Sequence, residues 1–428
     1  MSARKLLEGI VILDFTQYVA SAQSTRILAD MGAEIIKVER APHGDLYRVS
    51  GVLEHKGTKI AFANTGAGKK SLCVDLKQPE GVALVKRLIP HVDALMEGFT
   101  PDQMAKYGLD YETVRAIKPD IVYTSMSSFG QRGPFREWVS FDPIIQALGG
   151  MMHATGEPNG PPQVAGNGIA DTNAAVNGCL ATVAALLCKE RTGIGQHVDV
   201  CMLDSLVQMD CVMIPMCAGS DGEVDPKRYG RHSSFVAPFG VYECQGEYVF
   251  LQSLGSGRAS MWGRFCRAIG REDMIDDPRF DTNEHRLQNM PAMIGQIQAW
   301  FDGQASAMAA ADYLQRHRVA AAPVLTVKQV VAGEHVAGHH MLRRLYHPEE
   351  DREITIVANP YRYSETPTTT ESGAPLLGQH NEDVLQRYLG YTPEQLVDLY
   401  ERRVIQQNPK VRALKERGIL DPDGIERR

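Results

Sequence analysis

A single carboxylate set among glycines at the entry to a helix is the arrangement in this chain best suited to covalent chemistry. Residues 160–171 read Gly-Pro-Pro-Gln-Val-Ala-Gly-Asn-Gly-Ile-Ala-Asp, and from Thr172 to Cys188 apolar or small residues fall at almost every turn. The pattern predicts a buried helix with Asp171 at its N-cap. There the side chain accepts bonds from free backbone N–H groups and feels the positive end of the helix dipole. Both effects favour the ionised form, the form a carboxylate nucleophile needs. An ordinary cap has the same signature, so the rest of the chain must decide.

Other chemistry-bearing patterns fall short. His335 and His339 could share a helix face with His340 alongside, but Val336 stands where a zincin carries Glu, and Gly338 weakens the helix. The turn after the first strand, Thr16-Gln17-Tyr18-Val19-Ala20-Ser21-Ala22, lacks the glycines a dinucleotide needs, although Glu39 mimics a ribose-binding acid. Gly66-Ala67-Gly68-Lys69-Lys70-Ser71 misses the first Gly and the Ser/Thr of a Walker loop, and no Gly-x-Ser-x-Gly elbow occurs.

The elements around these residues alternate. Strands are expected at 11–15, 34–39, 71–75, 93–96 and 120–124, with helices at 25–31 and 81–89, so the first 130 residues read as a doubly wound, Rossmann-like α/β domain with a parallel sheet. Residues 196–215 add a strand and an apolar helix, and Gly219 to Pro226 reads as a linker. A β-hairpin over 238–254 turning at 244–247, then helices at 261–269, 288–301 and 307–317, make a smaller α+β unit. The expected division is 1–218, 225–325 and 330–428, the last part returning to the large domain with a strand at 354–358 and a helix at 381–388. Met261 and Trp262 face either the core or a substrate. The basic stretch from Lys410 is expected to wrap a surface or fray.

With 428 residues, 43% hydrophobic and 23% charged, the composition is that of a soluble globular protein. A net charge of −7 gives no general attraction to nucleic acid or anionic lipid, so an anionic ligand needs local Lys and Arg. The N-terminus lacks a signal-peptide core, the most apolar helical stretch, 179–188, is too short for a bilayer, and eight scattered cysteines without a Cys-x-x-Cys suit a cytoplasmic protein.

Several ordered motifs resemble the class III coenzyme A transferases, the CaiB/BaiF family that includes formyl-CoA transferase. They are Leu7 to Thr16, Leu28 to Arg40, Lys69 to Lys77, Ser128 to Pro134, Phe141-Asp142-Pro143 with Gln146-Ala147, the Asp171 segment, Thr192 to Gln196 and Gly373 to Gly378. The resemblance implies transfer of CoA from an acyl-CoA donor to a free carboxylic acid, with Asp171 as nucleophile, an acyl-aspartyl anhydride and then an aspartyl-CoA thioester. It places Val19 and Ala20 near pantetheine, Arg40 and Lys106 at the phosphates, and Val74, Asp75, Leu76, Lys77, Gly98, Phe99 and Thr100 beside the nucleotide. It adds Val139, Ser140, Phe141 and Asp142 to the CoA contacts, and Gln17, Gly166 and Gly168 to the substrate contacts.

It further implies an interlocked homodimer, acyl-CoA and carboxylic acid as the partners bound, and no permanently bound cofactor or metal, CoA thioester being a co-substrate. Phe141 replaces the Tyr of formyl-CoA transferase, and Arg231-His232-Ser233-Ser234 stands where that enzyme has a glycine-rich loop. Both departures argue against formyl-CoA and oxalate. An α-methylacyl-CoA racemase on the same fold needs a His-Asp pair that here reads Phe141-Asp142, and phenylalanine carries no proton. A CoA-binding protein without catalysis is the remaining alternative, disfavoured by the intact Asp171 and its glycines.

Overall fold

The computed structural model describes residues 5–50, 54, 55, 58–166, 168–368, 370–421 and 424, which form two compact units. The first unit comprises 1–149, 166–215 and 337–428, and the second 150–165 and 216–336. Asn167 and much of the chain end beyond Asp421 lie outside the described residues. The linear division differs from this one at 150–165, 216–218 and 330–336, all of which fall in the second unit.

The first unit is built on six parallel strands, β1 (Val11–Phe15), β2 (Glu34–Arg40), β3 (Lys70–Val74), β4 (Ala94–Glu97), β5 (Val122–Ser127) and β6 (Gln196–Cys201), in the order β3-β2-β1-β4-β5-β6. Its register sets Ile12 beside Ile35 on one side and Ala94 on the other. Side chains alternate between two cores. Leu13 and Phe15 face one with Ile36, Val38 and Leu95, covered by helix α2 (Pro79–Leu88) and by Asn381–Leu389 and Pro393–Glu401. Ile12 faces the other with Ile35 and Val122, covered by α1 (Ala20–Asp30) and the helix Ile169–Thr192. Burial on both faces explains the near-continuous apolar runs of the strands.

The outer edge of β3 is closed by the C-terminal part of the chain. His380 N–H donates to the Ser71 carbonyl (3.0 Å), Cys73 N–H to Asn381 Oδ1 (2.8 Å), Asp75 N–H to the Val404 carbonyl and Gln406 N–H to the Cys73 carbonyl. His380 Nδ1 accepts from Ser71 N–H. Burial, with Lys70 and Lys415 nearby, pushes the imidazole down to about 3, so it stays a neutral acceptor. The strand hydrogen bonds that an edge would leave open are thus satisfied by side chains and loop backbone. The described part of the stretch from Lys410 packs into the first unit. Lys410–Glu416 is a helix that buries Val411 and Leu414 against Leu376 and Leu420.

The second unit holds an antiparallel sheet, β7 (Phe239–Cys244), β8 (Glu247–Gln252) and β9 (Ala320–Pro323), in the order β9-β8-β7. Gln245 and Gly246 both take positive φ (54° and 76°), the geometry of a tight hairpin. Trp262 is fully buried with Phe265, Phe280 and Phe301, which settles its place as core. Beside it Arg286 is buried and satisfied by the carbonyls of Ala237, Phe280 and Gly255. Besides the short pair Glu54–His55 and Thr58–Lys59, two longer strands escaped the sequence reading. Ala320–Pro323 has no β-branched residue and is a strand only because β8 pairs with it. Leu342–His347 hides its alternation behind two arginines and pairs with Arg352–Val357.

Asn381 bridges β3 to the loop at Gln406, to whose carbonyl it donates at 2.8 Å. Asn381→Ala strands Cys73 N–H and that carbonyl out of water and lowers stability by about 2–3 kcal/mol. The measurement is the urea unfolding midpoint, and an unchanged midpoint contradicts the edge-closing role.

Candidate functional site

In an open parallel sheet, ligands bind beyond the carboxyl ends of the strands where the order reverses, here between β1 and β4. A cavity of about 500 Å³ opens there. Gln17 and Tyr18 line it from the loop after β1, Ala20 and Ser21 from the start of α1, Gly98 to Pro101 from the loop after β4, and Met126 to Phe129 from the end of β5. Tyr47, Trp138, Val139, Ser140, Phe141 and Asp171 complete much of the wall. The two central loops touch at Gly98, where an added Cβ would fall 2.1 Å from Ser21 Oγ. Only glycine permits that approach.

Asp171 belongs to this wall by virtue of helix α4 (Ile169–Thr192), to whose first turn helix α3 (Asp142–Leu148) supplies a partner. The helix starts earlier than its apolar pattern suggests. Gly168, at φ 78°, is the N-cap, so Asp171 is the third helical residue and not the cap. Asp142 takes the capping role from outside, its Oδ2 accepting from Asp171 N–H at 3.1 Å. Gln146 Nε2 fixes Asp142 by donating to Oδ1 (2.6 Å) and to the Gly166 carbonyl (2.8 Å).

This geometry reverses the expected electrostatics. No donor among the described residues reaches the Asp171 carboxylate. Burial, and secondly the negative Asp142, push Asp171 up to about 6. The helix N-terminus does not win. A partly desolvated carboxylate without hydrogen bonds is a stronger nucleophile than a capped one.

Beneath the cavity runs a set of buried charges. Lys37 donates to the Thr16 carbonyl (2.5 Å) and pairs with Asp45 (2.9 Å), while Lys69 pairs with Asp14 (3.1 Å). Asp45 Oδ1 in turn accepts from Tyr47 N–H at 2.9 Å and Tyr18 N–H at 3.5 Å. Glu39 holds Arg48 through two bonds of 2.7 Å and accepts from Asp45 N–H. Burial opposes the Glu39 charge, but Arg48, Lys37 and the Ser71 hydroxyl together outweigh it and hold the carboxyl at about 2. Burial pushes Lys69 down to about 8 despite Asp14.

Of the residues singled out from the sequence, Gln17, Ala20, Gly98, Phe99, Thr100, Val139, Ser140, Phe141 and Asp171 line one cavity. Asp142, Gly166 and Gly168 flank Asp171 without lining it. Val19 precedes α1. Val74 and Leu76 are buried, and Asp75 and Lys77 continue from the far edge strand β3. Arg40 and Lys106 are exposed, Lys106 bonding Gln103 at 3.3 Å. Tyr18, Tyr47, Ser127 and Trp138 were missed, since only the fold brings their segments together. The Ser127 hydroxyl is buried without a partner among the described residues. Nor do three or more His, Cys, Asp or Glu side chains among those residues stand together as metal ligands. No single helix there is long and apolar enough to cross a membrane.

The chain matches CoA-transferase family III over residues 7–381. It is 32% identical over 405 residues to the succinyl-CoA–D-citramalate CoA-transferase of Chloroflexus aurantiacus, covering 93% of this chain and 98% of that one. It is 30% identical to the formyl-CoA:oxalate CoA-transferase of Streptomyces coelicolor, covering 92% and 97%. A crystal structure of a CAIB/BAIF family protein from Brucella suis superposes with a TM-score of 0.77 at 28% identity, covering 90% of this chain and all of that one.

The raised Asp171 carboxyl has a thermodynamic signature. The folded protein binds this proton more tightly than the unfolded chain, so the ionised form costs stability above about pH 6 and the cost is gone below the unfolded value near 4. Asp171→Asn therefore raises Tm by about 2–4 °C at pH 8 and by nothing at pH 4. Calorimetry at both pH values checks this, and a pH-independent difference contradicts it.

Proposed function

The chain belongs to CoA-transferase family III, and from that premise we propose that it moves CoA between an acyl-CoA and a carboxylic acid by covalent catalysis at Asp171. The observation that carries this reading is a partly buried carboxylate, with no donor among the described residues, on the wall of the switch-point cavity. One Asp171 oxygen attacks the thioester carbon, giving a mixed anhydride and CoA thiolate. The thiolate attacks the aspartyl carbonyl, forming aspartyl-CoA and releasing the donor acid. The acceptor carboxylate then attacks aspartyl-CoA, and the thiolate finally takes the acceptor's acyl group. Both intermediates survive only where water is excluded, a service the aromatic wall of Tyr18, Tyr47, Trp138 and Phe141 is suited to give.

Ala20, with Val19 beside it, lies along the pantetheine and Gly98 to Thr100 beside the nucleotide, and Gln17, Val139, Ser140 and Phe141 lie within reach of a bound thioester. Arg40 and Lys106, exposed and cationic, serve the CoA phosphates, with Val19, Val74 to Lys77 and Asp142 completing the CoA contacts and Gly166 and Gly168 leaving space for substrate. Succinyl-CoA is the first donor to test, since the Chloroflexus relative is named for it. CoA acts as co-substrate and no resident cofactor takes part.

A homodimer is supported by the outer face of α4, where Val176, Leu180 and Leu187 are exposed, Leu180 by 65%. A helix apolar on both faces calls for a partner, and the interlocked arrangement and a cytoplasmic location complete the reading. A racemase on this fold would need a proton carrier where Phe141 stands. It would exchange an α-proton with deuterated water in the absence of acceptor acid.

Asp171→Ala is expected to reduce exchange between succinyl-CoA and labelled succinate by about a thousand-fold or more. Hydroxylamine added with acyl-CoA should leave a hydroxamate on Asp171, read by mass spectrometry. The wild-type rate should fall as pH drops through about 6, and Asp142→Asn should move that limb to lower pH. Full activity in a folded Asp171→Ala protein would refute the reading.

A further inference from the structure

Attack by Asp171 builds a negative oxygen on the acyl carbon, and an enzyme gains most by aiming a fixed donor at it. Phe141, on the wall of the same cavity, offers no hydroxyl to that oxygen. A hydroxyl lies close by on another element. Tyr47 walls the same cavity as Asp171 and Phe141. Its backbone N–H is tied to Asp45, which Lys37 anchors. Its ring meets the ring of Tyr18 edge to face at 5.2 Å, and Tyr18 meets Phe141 at 5.9 Å and 90°.

The three rings form one continuous wall, Tyr47–Tyr18–Phe141. Tyr18 adopts φ 59°, a left-handed conformation that a residue with a side chain keeps only where its surroundings impose it. That strain turns Tyr18 between the other two rings. No described residue accepts a hydrogen bond from the Tyr47 phenol. Burial, and next the nearby Asp171 charge, push that phenol up to about 12, so it keeps its proton throughout the working range.

We propose that the Tyr47 hydroxyl is a catalytic hydrogen-bond donor to the oxyanion formed at Asp171, supplying from the loop after β2 the hydroxyl that Phe141 lacks. The inference rests on Asp171 as nucleophile. An Asp171 oxygen lone pair forms the bond to the thioester carbon while the carbonyl π pair moves onto oxygen. Tyr47 donates to that oxygen without giving up its proton. Collapse restores the carbonyl and breaks the C–S bond, and CoA leaves as thiolate with the electron pair. The same donor serves when thiolate or acceptor acid attacks the aspartyl carbonyl.

The test uses the full-length wild-type protein and Tyr47→Phe, with the donor of highest wild-type rate among succinyl-, acetyl- and benzoyl-CoA and the matching labelled acid. Tyr47→Phe should lower kcat about 10- to 100-fold and slow hydroxamate formation at Asp171 equally. The acyl-CoA KM should stay within about threefold and Tm unchanged, since the phenol has no described partner to lose. Adding Phe141→Tyr to Tyr47→Phe should recover most of the lost kcat, which a merely structural role would not produce. An unchanged kcat, or a raised KM alone, overturns the proposal, and so does a lost kcat that Phe141→Tyr fails to restore. If hydroxamate forms at Asp171 at equal rates in both proteins, only the Tyr47 role falls. If the wild type forms none, the nucleophile falls and Tyr47 with it.

Discussion

The ion pair between Lys37 and Asp45 is the constraint on which the cavity depends. Both side chains are almost wholly excluded from solvent, so neither charge can stand without the other. Lys37 sits on the second strand and also grips the Thr16 carbonyl at the end of the first. Asp45 holds the backbones at Tyr18 and Tyr47. One buried contact therefore sets two loops from different strands in register with each other. A flexible surface pair could not do this, because exposed charges gain too little from any one geometry.

Around Asp171 the logic is the opposite. Charges below the cavity are matched, whereas the Asp171 carboxylate is placed beside a second carboxylate with no described donor of its own. Asp142 is held by Gln146, so it cannot turn away, and it caps the helix in place of Asp171. The helix terminus is satisfied while the Asp171 carboxylate is left poorly solvated. Stability is given up at one residue and retained everywhere around it.

The sheet was legible because parallel strands buried on both faces leave uninterrupted apolar runs. Val11–Phe15 stands as expected, and Glu34–Arg40 differs by one residue. The start of α4 was not legible, because Gly168 as cap carries no side-chain signature and Asp171 mimics one. Ala320–Pro323 was illegible for a different reason, since its strand character comes from its neighbour. Asp171 itself was visible from its glycine setting. Tyr18 and Tyr47 were not, since they lie 29 positions apart and meet only in the fold, through Asp45 and their own rings, and neither a turn residue nor a single-turn helix has a periodicity to betray it. Arg40, Lys77 and Lys106 came from motif matching, which reports residue type and not direction.

The closure of β3 by residues 380–406 has a bearing on how the protein comes into being. Synthesis runs from the N-terminus, so the first five strands emerge long before the segment that seals their rim, with the whole second unit made in between. Throughout that interval a nascent chain presents a row of unpaired amides and carbonyls, open to pairing with another polypeptide. Ribosome-bound chaperones that shield strand edges would matter more to this protein than its final stability suggests.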